Sequence, residues 1–313
     1  MKLSGRTRRK ITDNVVSYLY LLPFLVVFAV FLGYPIIYSL FLSFHKTSIY
    51  SDWYNIFGDM QWCGLSNYVT LLTADAELWW SLVVTLLYAA LTIPAGIALS
   101  LLLAVLLNNK LPGRSFFRSA YFLPNVLDLL VVGIIWVLIY SPRFGLLDVM
   151  LNKIGITFFS DTGFLGNPLT ALPAIALAMV LKGAGFGMIL FLTAIQNISS
   201  SVYEAAEVDG ASWWDRLRHV TIPLVKPIIL FMIITGVLAS LNAFTEIYAM
   251  TNASGGPITQ VFGRTVGATK LSGFYLFKTF ERGQYGYAAA ISYLLLVIAM
   301  VISFINIKVL QEK

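Results

Sequence analysis

Long uncharged apolar runs alternate with short polar segments along the whole chain. Residues 14–45 and 78–109 each provide 32 residues without Asp, Glu, Lys or Arg, and residues 283–307 provide 25. Three further apolar runs carry one charge each, namely Asp128, Lys182 and Glu246. About 20 helical residues cross a hydrocarbon core of roughly 30 Å. The pattern predicts an all-α membrane protein with six transmembrane helices, over residues 16–44, 79–107, 120–140, 171–196, 227–250 and 286–308.

Composition agrees with this pattern and defines the domain organisation. Of the 313 residues, 58% are hydrophobic and 12% are charged. The first apolar run is too long for the core of a signal peptide, so we expect it to be retained. We expect a basic N-terminal segment (1–15), one six-helix membrane domain (16–308) with a long polar loop (197–226), and a short C-terminal segment (309–313).

The distribution of basic residues predicts the orientation. Five Lys and Arg residues precede the first span, and the positive-inside rule puts that end in the cytoplasm. Six spans then return the C-terminus to the cytoplasm, and the loop 197–226 lies there too. Thirteen of the 21 Lys and Arg residues fall on this side. The pI of about 9.3 therefore follows from topology, and we expect no nucleic-acid partner.

Catalytic and metal-binding patterns are missing from the sequence. It contains no G-x-x-x-x-G-K-[ST] motif, so we expect no ATP site in this chain. His45 and His219 are far apart and on opposite sides of the predicted membrane, which argues against a metal site and against a catalytic triad. Cys63 is alone, so no intramolecular disulfide can form. We predict that the chain is not an enzyme.

The polar loop 197–226 carries a spaced motif. We predict two short helices joined near Gly210, because glycine permits a sharp turn there, with Pro223 at the start of the next helix. Apolar residues and Glu204 would offer a partner an apolar face and a charge. The alternative is an amphipathic connector without a partner. The motif residues are Glu204, Ala205, Ala206, Asp209, Gly210, Ala211, Ile222 and Pro223.

This spacing resembles the cytoplasmic loop of permease subunits in binding-protein-dependent ABC importers. Further blocks resemble the carbohydrate-uptake group of that family: residues 113–118, Asn242-Ala243-Phe244, Gly255-Gly256-Pro257 and residues 286–290. The resemblance implies the type I importer transmembrane domain, in a bacterial inner membrane. It implies that the loop docks on an ATPase subunit. The implied partners are a second related permease, two ATPase subunits that use ATP and Mg, and an extracytoplasmic solute-binding protein.

The same resemblance places a solute path in the membrane. Small residues there would open space, Phe186 could stack on a sugar ring, and Ser240 could hydrogen-bond hydroxyls. For any single residue, helix packing is the more common role. The expected path residues are Lys182, Gly183, Phe186, Gly236, Ser240, Asn242, Ala243 and Glu246.

The charged residues inside the spans leave alternatives open. Lys182 lies near the bilayer midplane, where a cation needs a partner. That partner is Glu246, or a carboxylate or phosphate of the substrate, unless Lys182 reaches the membrane interface. Asp128 is either buried in packing or placed at a helix end. The function expected is import of a saccharide, either neutral or acidic, such as a uronic oligosaccharide. The rival is an ion-coupled secondary transporter that uses Lys182, Glu246 and Asp128 as its relay.

Overall fold

The computed structural model describes residues 18–47, 60–109, 112–157, 159, 161–261 and 263–311. Within these ranges the chain is mostly helical and forms two compact units. Among the described residues, one unit takes in those of Met1–Thr73 and Thr279–Tyr293, and the other takes in those of Ala74–Lys278 and Leu294–Lys313.

The helices are, in chain order, α1 (Tyr18–Ser43), α2 (Ser66–Thr73), α3 (Ala76–Asn108), α4 (Arg114–Val126), α5 (Leu129–Tyr140), α6 (Leu146–Lys153), α7 (Gly163–Gly166), α8 (Ala171–Gln196), α9 (Ser200–Val208), α10 (Trp213–Leu224), α11 (Lys226–Leu241), α12 (Thr245–Met250), α13 (Ser272–Glu281) and α14 (Tyr285–Gln311). Two short antiparallel pairs accompany them: β1 (His45–Lys46) with β2 (Gln61–Trp62), and β3 (Ile258–Val261) with β4 (Arg264–Gly267).

Four of the described helices are long and apolar enough to cross a membrane, namely α1, α3, α8 and α14. Two bent pairs meet the same criterion: α4 with α5, at 102°, and α10 with α11, at 64°. If each pair counts as one crossing, the number of spans is six. The predicted mostly helical, multi-span architecture is therefore confirmed.

The predicted span over residues 120–140 is not a single helix, because the chain bends by 102° between α4 and α5. Helix α4 ends two residues after Pro124, and Leu127 adopts an extended conformation with ψ 144°. Asp128 is exposed and caps α5, since its Oδ1 accepts a hydrogen bond of 2.8 Å from the Leu130 N–H. Asp128 is therefore a helix cap at this break.

The predicted span over residues 227–250 is also interrupted. Helix α11 ends at Leu241, and α12 begins only at Thr245. The freed carbonyl of Leu241 accepts a hydrogen bond of 3.0 Å from the Ser272 hydroxyl. The Asn242 side chain donates to the Leu238 carbonyl at 2.8 Å. Side chains thus satisfy the backbone groups that the break exposes.

The first unit is organised around the end of α1. The Asn67 amide donates to the Ser43 and His45 carbonyls at 2.8 and 3.1 Å, which ties α2 to the end of α1. Tyr293 donates to the Ile36 carbonyl at 2.6 Å. The most apolar 18-residue window of α1 has none of its residues buried within the chain. Its surface is therefore available to lipid or to another protein.

The second unit is organised around the packing of α8 against α3 and α4. Gly185 faces α4, where a Cβ atom would overlap the Tyr121 carbonyl oxygen. Gly187 faces Ser100 of α3, whose hydroxyl donates to the Ala184 carbonyl at 3.2 Å. Small residues let membrane helices approach this closely and let polar groups bond across the interface.

We expect Gly185→Ala to destabilise the protein, because the added methyl group meets the rigid backbone of α4. Over-packing of this kind costs about 1–3 kcal/mol. Gly183→Ala is the matched control, since a Cβ at Gly183 meets nothing within 4 Å and alanine favours a helix. Thermal unfolding of the purified protein should show a lower midpoint for Gly185→Ala only. Equal midpoints for the two variants would contradict this packing.

Candidate functional site: an exposed helical hairpin and a membrane cavity

The loop 197–226 folds as a helical hairpin, which we call the coupling hairpin. Helix α9 ends at Val208, and Gly210 makes the turn with φ +80°, a left-handed conformation that glycine adopts without strain. The Ala211 N–H closes the turn on the Ala206 carbonyl at 2.9 Å. The predicted pair of short helices joined near Gly210 is what the structure contains.

A capping box starts the second helix of the hairpin. The Asp215 N–H donates to the Ser212 hydroxyl at 3.2 Å, and the Ser212 N–H donates to the Asp215 carboxylate at 3.1 Å. The hydrogen bonds from the Ser212 hydroxyl and backbone lower the pKa of Asp215. The capping box therefore stabilises the hairpin fully at pH values above the unfolded-state pKa of Asp215. This stabilisation is lost as the pH falls through the lowered pKa that Asp215 has in the folded state.

Two side-chain contacts hold the helices of the hairpin together. Arg216 of α10 forms an ion pair with Glu207 of α9 at 3.1 Å. The hydroxyls of Tyr203 and Thr221 share a hydrogen bond of 3.1 Å. Pro223 lies in the first turn of the segment Ile222–Leu224, the last part of α10, and Pro227 lies in the first turn of α11. The prediction that Pro223 starts a helix agrees with this short segment, whereas the long helix α11 begins at Lys226.

The hairpin presents an exposed apolar surface with an acidic group. Val208 is 87% exposed and Trp214 is 60% exposed. Glu204 is exposed on α9. The motif residues occupy exposed or partly exposed positions: Glu204, Ala205, Ala206, Asp209, Gly210, Ala211, Ile222 and Pro223. Tryptophan is a typical anchor of protein interfaces, so exposed tryptophans indicate a binding surface.

A cavity of about 350 Å³ opens in the second unit, within the size range of small-molecule sites. Helices α3, α8, α11 and α12 supply its walls. Five of the eight predicted path residues line it, and three do not, namely Lys182, Asn242 and Ala243. The lining residues are Tyr88, Thr92, Ile93, Gly96, Ile97, Ser100, Met179, Val180, Gly183, Phe186, Phe231, Met232, Thr235, Gly236, Ala239, Ser240 and Glu246.

Sequence reasoning missed the wall that α3 contributes. Tyr88, Thr92, Gly96 and Ser100 recur every four residues along α3. Residues at this spacing lie on one face, so they form a polar stripe along the cavity. The four-residue spacing of these positions in the sequence is the signal that could have indicated a cavity-facing side of α3.

Lys182 has a partner other than the two expected ones. Its Nζ donates to the Asn125 carbonyl at 3.5 Å, at the end of α4. The carbonyls of a terminating helix lack partners and carry partial negative charge, which suits a lysine. Among the described residues the ion pairs join Arg143 with Asp161, Arg216 with Glu207, and Lys270 with Glu77, so Lys182 and Glu246 do not form one.

Lys270 is a buried cation, and no sequence pattern pointed to its partner. It pairs with Glu77, and its Nζ lies 5.6 Å from the centre of the Tyr275 ring. Tyr275 in turn donates to Asp75 at 2.7 Å, and Asp75 caps α3 through the Leu78 N–H at 2.9 Å. This network fixes the segment before α13 to the start of α3.

The hairpin motif and the helical fold define a class, and comparison with known proteins agrees with it. Residues 96–311 match the family described as "Binding-protein-dependent transport system inner membrane component". The chain belongs to this family. It is a permease component of such a transport system. This family assignment does not favour the alternative of an ion-coupled secondary transporter.

Relatives and solved structures cover nearly the full chain. The "Probable ABC transporter permease protein YesP" of Bacillus subtilis (strain 168) is 34% identical over 98% of this chain and 93% of its own length. The "Lactose transport system permease protein LacF" of Rhizobium radiobacter is 32% identical over 100% of both chains. A bacterial ABC transporter involved in import of the acidic polysaccharide alginate has the same fold, with a TM-score of 0.78 over 98% of this chain and 99% of that chain, at 24% identity.

We expect Lys182→Met and Glu246→Gln to affect stability independently, because the two side chains have different partners. Removing one partner of a buried ion pair costs about 3–5 kcal/mol, much of which the second change restores. Here the coupling energy of a double-mutant cycle should stay far below that value. Thermal unfolding of the wild type, both single variants and the double variant measures it. Restored stability in the double variant would reinstate the pair.

Proposed function

We propose that this chain is the permease subunit of an ATP-driven importer for a sugar or oligosaccharide. The family assignment supports transport by a binding-protein-dependent system, and a relative named as a lactose permease supports a saccharide. The substrate crosses through the cavity of the second unit, where Gly183, Phe186, Gly236, Ser240 and Glu246 meet it. The family description supports location in the bacterial cytoplasmic membrane.

The observation that carries the proposal is the coupling hairpin. Two short helices, closed by Gly210 and cross-linked by Arg216 and Glu207, form a stiff element with exposed tryptophans and Glu204. A stiff element of this kind transmits movement, whereas a loose loop absorbs it. The hairpin docks in a groove of a cytoplasmic ATPase subunit, as an amphipathic helix docks in an apolar groove.

The proposal includes the other subunits that the family resemblance implies. Each of two permease chains, this one and a related second one, docks on one of two ATPase subunits, which bind ATP and Mg. ATP-driven closure of the ATPases draws the hairpins together and opens the cavity toward a docked extracytoplasmic solute-binding protein. The chain contributes no catalysis, and its N-terminus, hairpin and C-terminus are cytoplasmic, as the distribution of basic residues supports.

Substitutions in the hairpin should uncouple transport without altering substrate contacts. Glu204→Ala removes a charge-assisted contact worth about 1.5–3 kcal/mol. Gly210→Val places a β-branched residue in the left-handed region, at a cost of roughly 1–2 kcal/mol. We expect both to reduce ATP-dependent uptake and co-purification of the ATPase by the membrane-inserted complex.

Gly155→Val is the matched control for the backbone strain that Gly210→Val introduces. Gly155 also has a left-handed φ (+85°), and a Cβ atom added there would meet nothing within 4 Å, but it lies outside the hairpin. Uptake should therefore survive in this variant. Normal uptake with normal ATPase co-purification in both hairpin variants would refute the docking role.

A further inference from the structure

Glu246 is the single charged side chain among the described residues that line the cavity. It is 8% exposed, so most of its surface lies against protein and the rest borders the cavity. Tyr88 donates a hydrogen bond to its Oε1 at 3.3 Å. This hydrogen bond holds the carboxylate at the cavity wall.

No described cation on the cavity wall offsets this carboxylate. Lys182 lies outside the lining and donates to the Asn125 carbonyl, where it completes the end of α4. A carboxylate of a substrate would therefore meet a negative group first and would find no described lysine or arginine at the wall.

The remaining polar lining suits hydroxyl groups. The hydroxyls of Thr92, Ser100, Thr235 and Ser240 donate to backbone carbonyls, so their oxygens, like the carboxylate of Glu246, can accept hydrogen bonds from O–H donors. Phe186 is partly exposed at the same cavity and offers an aromatic face to a sugar ring. Hydroxyl-rich ligands without charge match this set of groups.

We propose that Glu246 makes the cavity selective for neutral saccharides and excludes uronic ones. This specificity rests on the proposed function of the cavity as the solute path. It assigns Glu246 a direct contact with substrate hydroxyls and assigns Lys182 a structural role. A cavity that binds an acidic saccharide would need a cation at its wall. The described lining of this cavity contains none.

The test measures saccharide binding to the assembled membrane complex, without the solute-binding protein, so that the selectivity of that protein does not enter. Equilibrium binding is compared for lactose, maltotriose and an alginate trisaccharide. For the wild type we expect the affinity for the better neutral ligand to exceed that for the acidic one by about tenfold or more, because a like charge opposes binding. Glu246→Gln keeps the shape and removes the charge, and should lower this ratio about tenfold.

Asp128→Asn is the matched control. It also removes a carboxylate from the membrane domain, Asp128 is not among the lining residues, and asparagine keeps the helix cap. The ratio should not change in this variant. Tyr88→Phe retains the charge of Glu246, so it should weaken neutral binding and preserve exclusion of the acidic ligand.

Each outcome bears on the proposal. Wild-type complex that binds the alginate trisaccharide as well as the neutral ligands overturns it, even if Glu246→Gln does not assemble. An unchanged ratio in an assembled Glu246→Gln complex also overturns it. An intact, ATP-hydrolysing wild-type complex that binds none of the three probes contradicts the saccharide function itself, which distinguishes the two failures.

Discussion

The need to satisfy backbone polar groups inside a membrane governs this structure. Hydrocarbon offers no hydrogen bonds, so a helix that breaks within the apolar region requires protein partners for its freed carbonyls. The Lys182 ammonium donates to the Asn125 carbonyl at the end of α4, and the Ser272 hydroxyl donates to the Leu241 carbonyl at the end of α11. The Asn242 amide donates to the Leu238 carbonyl of α11. Lys182 and Asn242 look functional in the sequence because each is polar in an apolar run. Each of them bonds a helix carbonyl, and neither is among the residues that line the cavity.

The breaks in turn make room for the site. Helix α11 stops at Leu241, so the chain can place Glu246 on a separate helix that reaches the cavity wall. Elsewhere the helices pack closely, because Gly185 and Gly187 let α8 approach α4 and α3. Gly183 and Phe186 of the same helix line the cavity. Outside the apolar region, the coupling hairpin obtains its rigidity from its own caps and cross-links.

The sequence predicted the unbroken helices well and the breaks poorly. Helix α8 begins and ends at the predicted residues, 171 and 196, because its apolar run has clear polar limits. The break near Asn242 was missed, and a helix end at Asp128 was only one of two alternatives, because apolarity continues across both positions. The hairpin motif was recognised because its residues are close in sequence. The stripe from Tyr88 to Ser100 was missed because single polar residues in a span look like packing.

The central claim is that ATP hydrolysis on partner subunits drives transport through this chain. Proteoliposomes that contain the two permeases, the ATPases and the binding protein test it most directly. We predict saccharide uptake that requires ATP and the binding protein, and that persists when ionophores collapse all ion gradients. Uptake by this chain alone, driven by an ion gradient without ATP, would contradict the account.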